Sequence, residues 1–429
     1  MINAPSQDFR IPRGVSDKLL TDTKRIKSIE SKVLEIAESW GYQQVLAAPL
    51  EFEDVLALGA GSGLAEKSFR FDNWENGRMI AIPPDITPQM SRISATKLTH
   101  LPYPHRLSYS GIVLRHSAVE SGLQREVIQA GVELIGASSP VADAEMLYMI
   151  IQIGNELGLQ NLTINIGHVG VCKGVLSALK SHQADEPVLR TAISLKDKKF
   201  VQQYSEQNKL DQDITQQLVE LTRLFGGADV LAKAQSLEWN DTTREALDEL
   251  QQIVGALESY GANITQHLTF DLGDTRGLDY HTGITYECFG EKSCDALFTG
   301  GRYDTLMGKY GVEKAATGFT CNLGAVAYAL DMLYGKIDSK AIQLLVLGKD
   351  AQLLNLCQQI RKSGISVVTV YESWTDAQAV EYARSHGVSF ILKVDNSGEY
   401  ILTHSCHLKE YSIGKTLPHQ EISEIVNNC

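Results

Sequence analysis

Apolar residues recur every three to four positions between residues 17 and 40, at Leu19, Leu20, Ile26, Ile29, Val33, Leu34, Ile36 and Ala37, and Gly41 stands where a helix cap would. A first helix ending near Trp40 is predicted. Tyr42–Leu50 is rich in β-formers and stops at a proline. Leu107–Arg115 and Arg125–Gly136 read as the strands of a hairpin whose long tip is the polar, glycine-containing segment His116–Gln124. Because side chains alternate across a strand, Glu126, Ile128, Ala130, Val132 and Leu134 fall on one face of the second strand, and Arg125, Gln129, Gly131, Glu133 and Ile135 on the other. The first, mostly apolar face predicts packing. The second carries polar groups at a regular spacing that asks for a ligand or for internal partners.

Further along, a helix is predicted over Ala142–Leu157, a strand over Leu162–Gly167, and a mostly helical, polar stretch over Gly170–Leu257 that reads as an insertion. The periodicity changes at Ile264–Gly273, and strands follow at Thr282–Cys288 and Gly318–Leu323, the latter running into a helix up to Tyr334. Beyond the polar link Gly335–Lys340, strands at Ile342–Leu347, Ser366–Tyr371, Phe390–Val394 and Tyr400–Thr403 are interleaved with helices at Ala351–Lys362 and Asp376–Ser385, with a last helix near Gln420–Asn427. That alternation argues for a separate small α/β domain.

Composition narrows the classes. A chain of 429 residues with 43% hydrophobic content can bury a sizeable core divided over two or three domains. Its net charge of -13 repels nucleic acid at long range, and no basic patch offsets it. The seven cysteines form no C-x-x-C pair and no cluster with His at metal-ligand spacing, so reduced thiols are expected, with no metal and no cofactor. Met1–Arg10 has no basic stretch leading into an apolar one, and no run of about 18 apolar residues appears. A soluble, cytoplasmic protein without membrane contact is the expectation.

Four segments carry candidate chemistry. In Ile82-Pro-Pro-Asp-Ile-Thr-Pro-Gln-Met-Ser-Arg92, Asp85 and Thr87 lie two apart, so an extended backbone would aim a carboxylate and a hydroxyl at one group such as an ammonium; a turn capped by Asp85 fits the same residues. The hairpin contributes Arg115, Arg125, Gln129 and Glu133, suited either to a carboxylate and an imidazole or to internal ion pairs. Thr275-Arg-Gly-Leu-Asp-Tyr-His-Thr-Gly283 and Gly300-Gly-Arg-Tyr-Asp304 combine close-approach glycines with Arg276, Tyr280 and Tyr303, and each reads equally as a glycine-rich turn between strands.

In combination and in order, Pro12-Arg-Gly-Val-Ser-Asp17, Pro84-Asp-Ile-Thr87, Arg115, Arg125-Glu-Val-Ile-Gln-Ala-Gly-Val-Glu-Leu-Ile-Gly136, Arg276-Gly-Leu-Asp-Tyr280 and Gly300-Gly-Arg-Tyr-Asp304 resemble histidyl-tRNA synthetase from about Ile11 to Leu333. The resemblance is stronger for the synthetase paralogues that serve as regulatory subunits of ATP phosphoribosyltransferase. It implies a class II synthetase-like antiparallel sheet flanked by helices, spanning residues 1–335 with a helical insertion at about 170–260. A small α/β domain at 341–429, more faintly like an anticodon-binding domain, would follow. Carried over position by position, Asp85 and Thr87 would hold an α-amino group, Arg115 and Gln129 the carboxylate end, and Glu133 the imidazole, with Arg276 covering the carboxylate and Tyr280 and Tyr303 lining the pocket. The resemblance also implies a homodimer formed through the first helix and its neighbouring strands, with Ile26, Ile29, Val33 and Ile36 as the retained surface. L-Histidine would be the effector. The partner would be a short-form catalytic ATP phosphoribosyltransferase subunit, which joins ATP and phosphoribosyl pyrophosphate at the first step of histidine synthesis, in a larger hetero-oligomer.

Most departures point away from tRNA charging. Ser117 stands where synthetases carry an acidic residue, and the tip as far as Gln124 contains no Lys or Arg. Gly324 and Ala325 replace the Glu-Arg pair whose arginine contacts a bent ATP, and losing one such contact commonly costs about 3–4 kcal/mol in the transition state. One departure cuts the other way: His281, itself an expected histidine-binding residue, replaces the second tyrosine of the usual pair and removes a hydroxyl that would contact the imidazole. In the carboxy-terminal domain Asp350, Glu372, Asp376, Glu381, Asp395 and Glu399 are balanced by no basic cluster, which suits a protein-contact module or a relic better than a tRNA surface. The non-catalytic regulatory reading leads; a genuine histidyl-tRNA synthetase and a free-standing amino-acid sensor are the alternatives.

Overall fold

The computed structural model describes the chain apart from residues 1–9, 66–67, 73–76, 117–124, 180–184, 262–263, 279, 337–342, 349–350, 396, 415–418 and 428–429. The expected hairpin tip with Ser117, and Asp350, lie outside the described residues. Contacts divide the chain into two compact units, Met1–Lys336 and Ile337–Cys429.

The larger unit begins α1 (Leu20–Ser39), β1 (Gln43–Gln44), β2 (Glu51–Phe52), α2 (Glu53–Ala65), β3 (Phe69–Asp72), β4 (Met79–Ile82), α3 (Thr87–Thr96), β5 (His105–Leu114) and β6 (Glu126–Ile135). It continues with α4 (Pro140–Leu157), β7 (Thr163–His168), α5 (Val169–Ser177), α6 (Glu186–Ser194), α7 (Lys198–Gln207), α8 (Gln212–Leu221), β8 (Phe225–Gly226), α9 (Asp229–Gln235) and α10 (Asp241–Glu258). It closes with β9 (Leu268–Asp271), β10 (Ile284–Phe289), β11 (Phe298–Arg302), β12 (Ala316–Asn322) and α11 (Leu323–Tyr334). The main sheet has nine strands in the order β1-β5-β6-β12-β11-β10-β7-β9-β8. Every neighbouring pair from β5 to β7 is antiparallel. Within this sheet, among the described residues, the parallel pairs are β1 with β5 and β7 with β9.

The alternation read in β6 sorts the two faces. Ala130, Val132 and Leu134 join one apolar core with residues of α1, α4, α10 and α11. Val127 and Ile135 face a second cluster with Tyr109, Ile86, Met90 and Tyr303. The stripe Ile26, Ile29, Val33 and Ile36, expected as a dimer surface, is buried in the first core at 6% exposure or less. The stripe is taken up by the chain's own sheet, so it cannot also be a dimer seam. The helices of the polar stretch build no core of their own: Leu189, Val201, Leu218 and Leu250 belong to the same cluster as Ile164 and Ile166 of β7.

Two local expectations change. The segment around Asp85 is not extended, because Thr87 opens α3 with Pro88 in the first turn, where a missing N–H leaves no bond unmade. Gly300-Gly-Arg302 is no turn but the end of β11, paired with β10 and β12 on either side. Of Tyr42–Leu50, only Gln43–Gln44 pairs, lying parallel to β5.

The smaller unit runs β13 (Leu344–Leu347), α12 (Ala351–Lys362), β14 (Val367–Val370), α13 (Asp376–Ser385), β15 (Phe390–Val394), β16 (Tyr400–His404), β17 (Glu410–Ser412) and α14 (His419–Asn427). Its five strands are ordered β14-β13-β15-β16-β17. α12 and α14 share a core on one face, and α13 packs on the other. Among the described residues no helix is long and apolar enough to cross a membrane.

Deep in the larger unit, Arg302 (3% exposed side chain) pairs with fully buried Asp143 of α4 at 2.7 Å, and donates also to the Ala137 carbonyl at 3.1 Å. Arg302→Met strands the Asp143 carboxylate and is expected to lower stability by about 3–5 kcal/mol, whereas Arg302→Met with Asp143→Leu loses clearly less than the two single losses added. Urea unfolding of the three variants measures this; simple additivity would mean that the pair does not act as a unit.

Candidate functional site

Antiparallel pairing sets side chains of directly opposed residues on the same face, so the register traces the floor of the site. Glu133 on β6 lies opposite Gly318 on β12, Gly318 opposite Gly301 on β11, and Gly301 opposite Thr285 on β10. Two glycine-bearing strands therefore lie beside the carboxylate. At Gly318 any Cβ would collide with Glu133 Oε2, so only glycine leaves that oxygen its place.

Glu133 is 1% exposed and Gln129 fully buried. Thr87 Oγ1, at the start of α3, donates to Glu133 Oε1 at 2.6 Å, and the Tyr303 hydroxyl, just after β11, donates to Oε2. Asp85 Oδ1 accepts from the Ile86 backbone N–H at 2.8 Å and from Gln129 Nε2 at 3.3 Å. Arg115 Nε donates to the Pro84 carbonyl at 3.0 Å, fixing the peptide before Asp85. Entry into α3 thus converges on β6: Asp85 meets Gln129 and Thr87 meets Glu133, one helical turn instead of an extended strand doing the aiming.

Tyr280 and His281 lie beside this network. The Tyr280 ring stands 5.7 Å from that of Tyr303 and 5.0 Å, edge-on, from that of His281. The His281 ring lies over Gly301, whose missing side chain makes room for it. Gln129 Oε1 and the Tyr280 hydroxyl are buried without a hydrogen-bond partner among the described residues, whereas His281 Nδ1 faces the Gly277 backbone. Two orphaned polar atoms beside one carboxylate make an incomplete network, which a small polar ligand would complete. Burial, with a smaller contribution from nearby Asp85, pushes the Glu133 carboxyl up to about 8 against the opposing bonds from Thr87 and Tyr303. Burial pushes the His281 imidazole down to about 4, so it is neutral.

Arg276 does not join the network. Its half-exposed guanidinium pairs with Asp274 at 3.0 Å and with Glu287 of β10 at 2.5 Å. Glu287 opposes Thr299, Thr299 opposes Thr320, and Thr320 opposes Gly131, so the pair sits on the site's face of the sheet, three strands from β6. The two acidic neighbours, Asp274 and Glu287, hold it there. Residues that the motifs did not single out are Tyr109 and Thr320, whose hydroxyls bond at 2.7 Å under the site, and Gly318. A glycine inside a strand pattern was the available signal for Gly318. At the junction where a synthetase needs its Glu-Arg pair, Asn322 caps α11 by accepting from Ala325 N at 3.1 Å, and Gly324 and Ala325 form the first turn with no charged side chain.

The chain matches the histidyl-tRNA synthetase family over residues 14–326. It is 40% identical to an ATP phosphoribosyltransferase regulatory subunit of Geobacter sulfurreducens, over 90% of this chain and 88% of that one. It is 39% identical to the like-named protein of Geobacter metallireducens, over 93% and 92%. Among solved structures it is similar to an ATP phosphoribosyltransferase regulatory subunit/histidyl-tRNA synthetase from Bacillus halodurans, with a TM-score of 0.78 and 27% identity over 90% of this chain and 98% of that one. The fold is shared with histidyl-tRNA synthetase from Nostoc sp. PCC 7120, at a TM-score of 0.78 and 20% identity over 98% and 99%.

Glu133 gives the site a pH signature. With its folded value near 8 and an ordinary carboxyl in the unfolded chain, the folded state holds one more proton between about pH 4.5 and 8. The stability tied to that proton is fully present below about pH 4.5 and is lost as pH rises through 8. Glu133→Gln, which keeps the shape and cannot ionise, is expected to flatten the fall in unfolding free energy between pH 5 and 8; equal slopes for both proteins in urea titrations would show that Glu133 is ionised throughout.

Proposed function

The chain belongs to the family of ATP phosphoribosyltransferase regulatory subunits built on the histidyl-tRNA synthetase fold, and on that premise we propose that it is a non-catalytic subunit that binds L-histidine and reports it to a catalytic phosphoribosyltransferase. The partner's reaction joins ATP and phosphoribosyl pyrophosphate in the first step of histidine synthesis. The observation that carries the reading is a contrast within one sheet. The buried set Asp85, Thr87, Gln129, Glu133 and Tyr303 is assembled and partly unsatisfied, while the β12–α11 junction offers Gly324 and Ala325 where a triphosphate would need charge.

In this reading the imidazole of the effector donates to Glu133, which ionises as the ligand binds, and Gln129 and Asp85 take the backbone end. Tyr280 brings its unused hydroxyl to the same ligand, with neutral His281 packed edge-on beside it. Arg276 reaches the carboxylate only by exchanging Asp274 or Glu287 for it. A coupling of roughly 1–3 kcal/mol between histidine and the assembly state is enough for feedback. A homodimer within a larger hetero-oligomer belongs to the same reading, on a surface other than the buried stripe of α1.

Glu133→Ala is expected to weaken histidine binding by about 2–5 kcal/mol in calorimetry, removing feedback while leaving co-purification with the catalytic subunit intact. The wild-type chain is expected to support no histidine-dependent exchange of pyrophosphate into ATP. Exchange at ordinary synthetase rates would replace this reading by the tRNA-charging one, and unchanged histidine binding in Glu133→Ala would move the effector site elsewhere.

A further inference from the structure

The segment between β9 and β10, which brings Tyr280 and His281 to the site, has no helix or strand among its described residues; Leu272 and Thr275 bond to Leu224 and to Arg190 of α6, and α5 holds both of its legs from behind. α5 follows β7 directly, and residues Val169, Cys172 and Lys173 stand at i, i+3 and i+4, the spacing of a single helix face. All three touch the segment. Val169 N donates to the Gly283 carbonyl at 3.1 Å. Cys172 Sγ lies 3.4 Å from the Leu272 carbonyl and 3.5 Å from that of Asp274. Lys173 Nζ donates to the His281 carbonyl at 3.0 Å. The same face therefore grips the outgoing leg at 272 and 274 and the returning leg at 281 and 283. Lys173 makes the one charge-assisted contact of the three, and makes it on the residue whose ring covers Gly301.

The returning leg has its own bonds to the site. Thr282 N donates to the Arg302 carbonyl at 2.8 Å, and Thr282 Oγ1 accepts from Asp304 N at 2.9 Å, on either side of Tyr303. A displacement of the His281 carbonyl is thus passed to the residues flanking the tyrosine that holds Glu133. We propose that Lys173 is a positioning residue of the amino-acid site: by bonding the His281 carbonyl it holds Tyr280 and His281 over the glycine floor, and it makes α5 the element through which occupancy of the site is felt in the helical layer. The inference rests on the proposed histidine site.

The test pairs Lys173→Met, which keeps the half-buried stem and removes the ammonium, with Lys173→Arg, which keeps the charge. Calorimetry with L-histidine and hydrogen exchange of the amides at 281–283 and in α5 are measured on the full-length chain. Lys173→Met is expected to bind histidine about ten-fold more weakly, to exchange faster at 281–283, and to lose the histidine-induced protection of α5, with Lys173→Arg within about three-fold of wild type. Lys173→Met binding as tightly as wild type with α5 protected as before overturns the positioning role. If the wild-type chain itself binds no histidine, the effector reading fails, and exchange at 281–283 decides alone: faster in Lys173→Met supports the strut, unchanged overturns it.

Discussion

A carboxyl group sealed inside an antiparallel sheet is costly unless donors reach it, and the larger unit is arranged around meeting that demand at Glu133. Its neighbour on β12 must be glycine. One oxygen is met from the first residue of α3 and the other from the residue after β11, so helix and strand are placed relative to β6 by a shared acceptor. Burial outweighs those donors and keeps the acid largely neutral. In the proposed site, a ligand group that donates to this acid would recover the charge–dipole energy that burial suppresses.

The chemistry of this site was legible because it sits on the most regular element of the chain. Strand alternation alone put Gln129 and Glu133 on one face and Ala130, Val132 and Leu134 on the other, and the structure sorts them so. What periodicity could not supply was partnership. Asp85 and Thr87 face Gln129 and Glu133 through a helical entry, and an extended backbone would have suggested the same pair for a different reason. Arg276 has the right type and a neighbouring glycine, yet Asp274 two residues before it and Glu287 across the strand compete for its guanidinium, and only the fold brings Glu287 within reach.

The stripe of α1 teaches a related point. Ile26, Ile29, Val33 and Ile36 have the spacing of any buried helical face, and an amphipathic pattern does not say whether it is answered by another copy or by the same chain. Here β6, α4 and α11 answer it. The polar stretch from α5 to α10 likewise looked like an appendage in sequence, since its outward faces are rich in Gln and Glu. Its inward faces continue the core of the sheet, so the segment is a layer of the domain.

That continuity bears on how a sensor can be made from a synthetase-like sheet. A catalytic site needs its charged groups preorganised on the reacting atoms. A sensor needs instead a ligand whose binding alters the balance between two arrangements of something larger. In this chain Gly324 and Ala325 leave the β12–α11 junction without charge, whereas the proposed amino-acid end is tied through the His281 carbonyl to a helix that shares its core with five others of the layer. Packed interiors transmit small displacements because they have few voids to absorb them. A sheet with no charge at that junction therefore suits the proposed role: ligand contacts made at Tyr280 would be free to be read out in helices, with no reaction geometry to preserve.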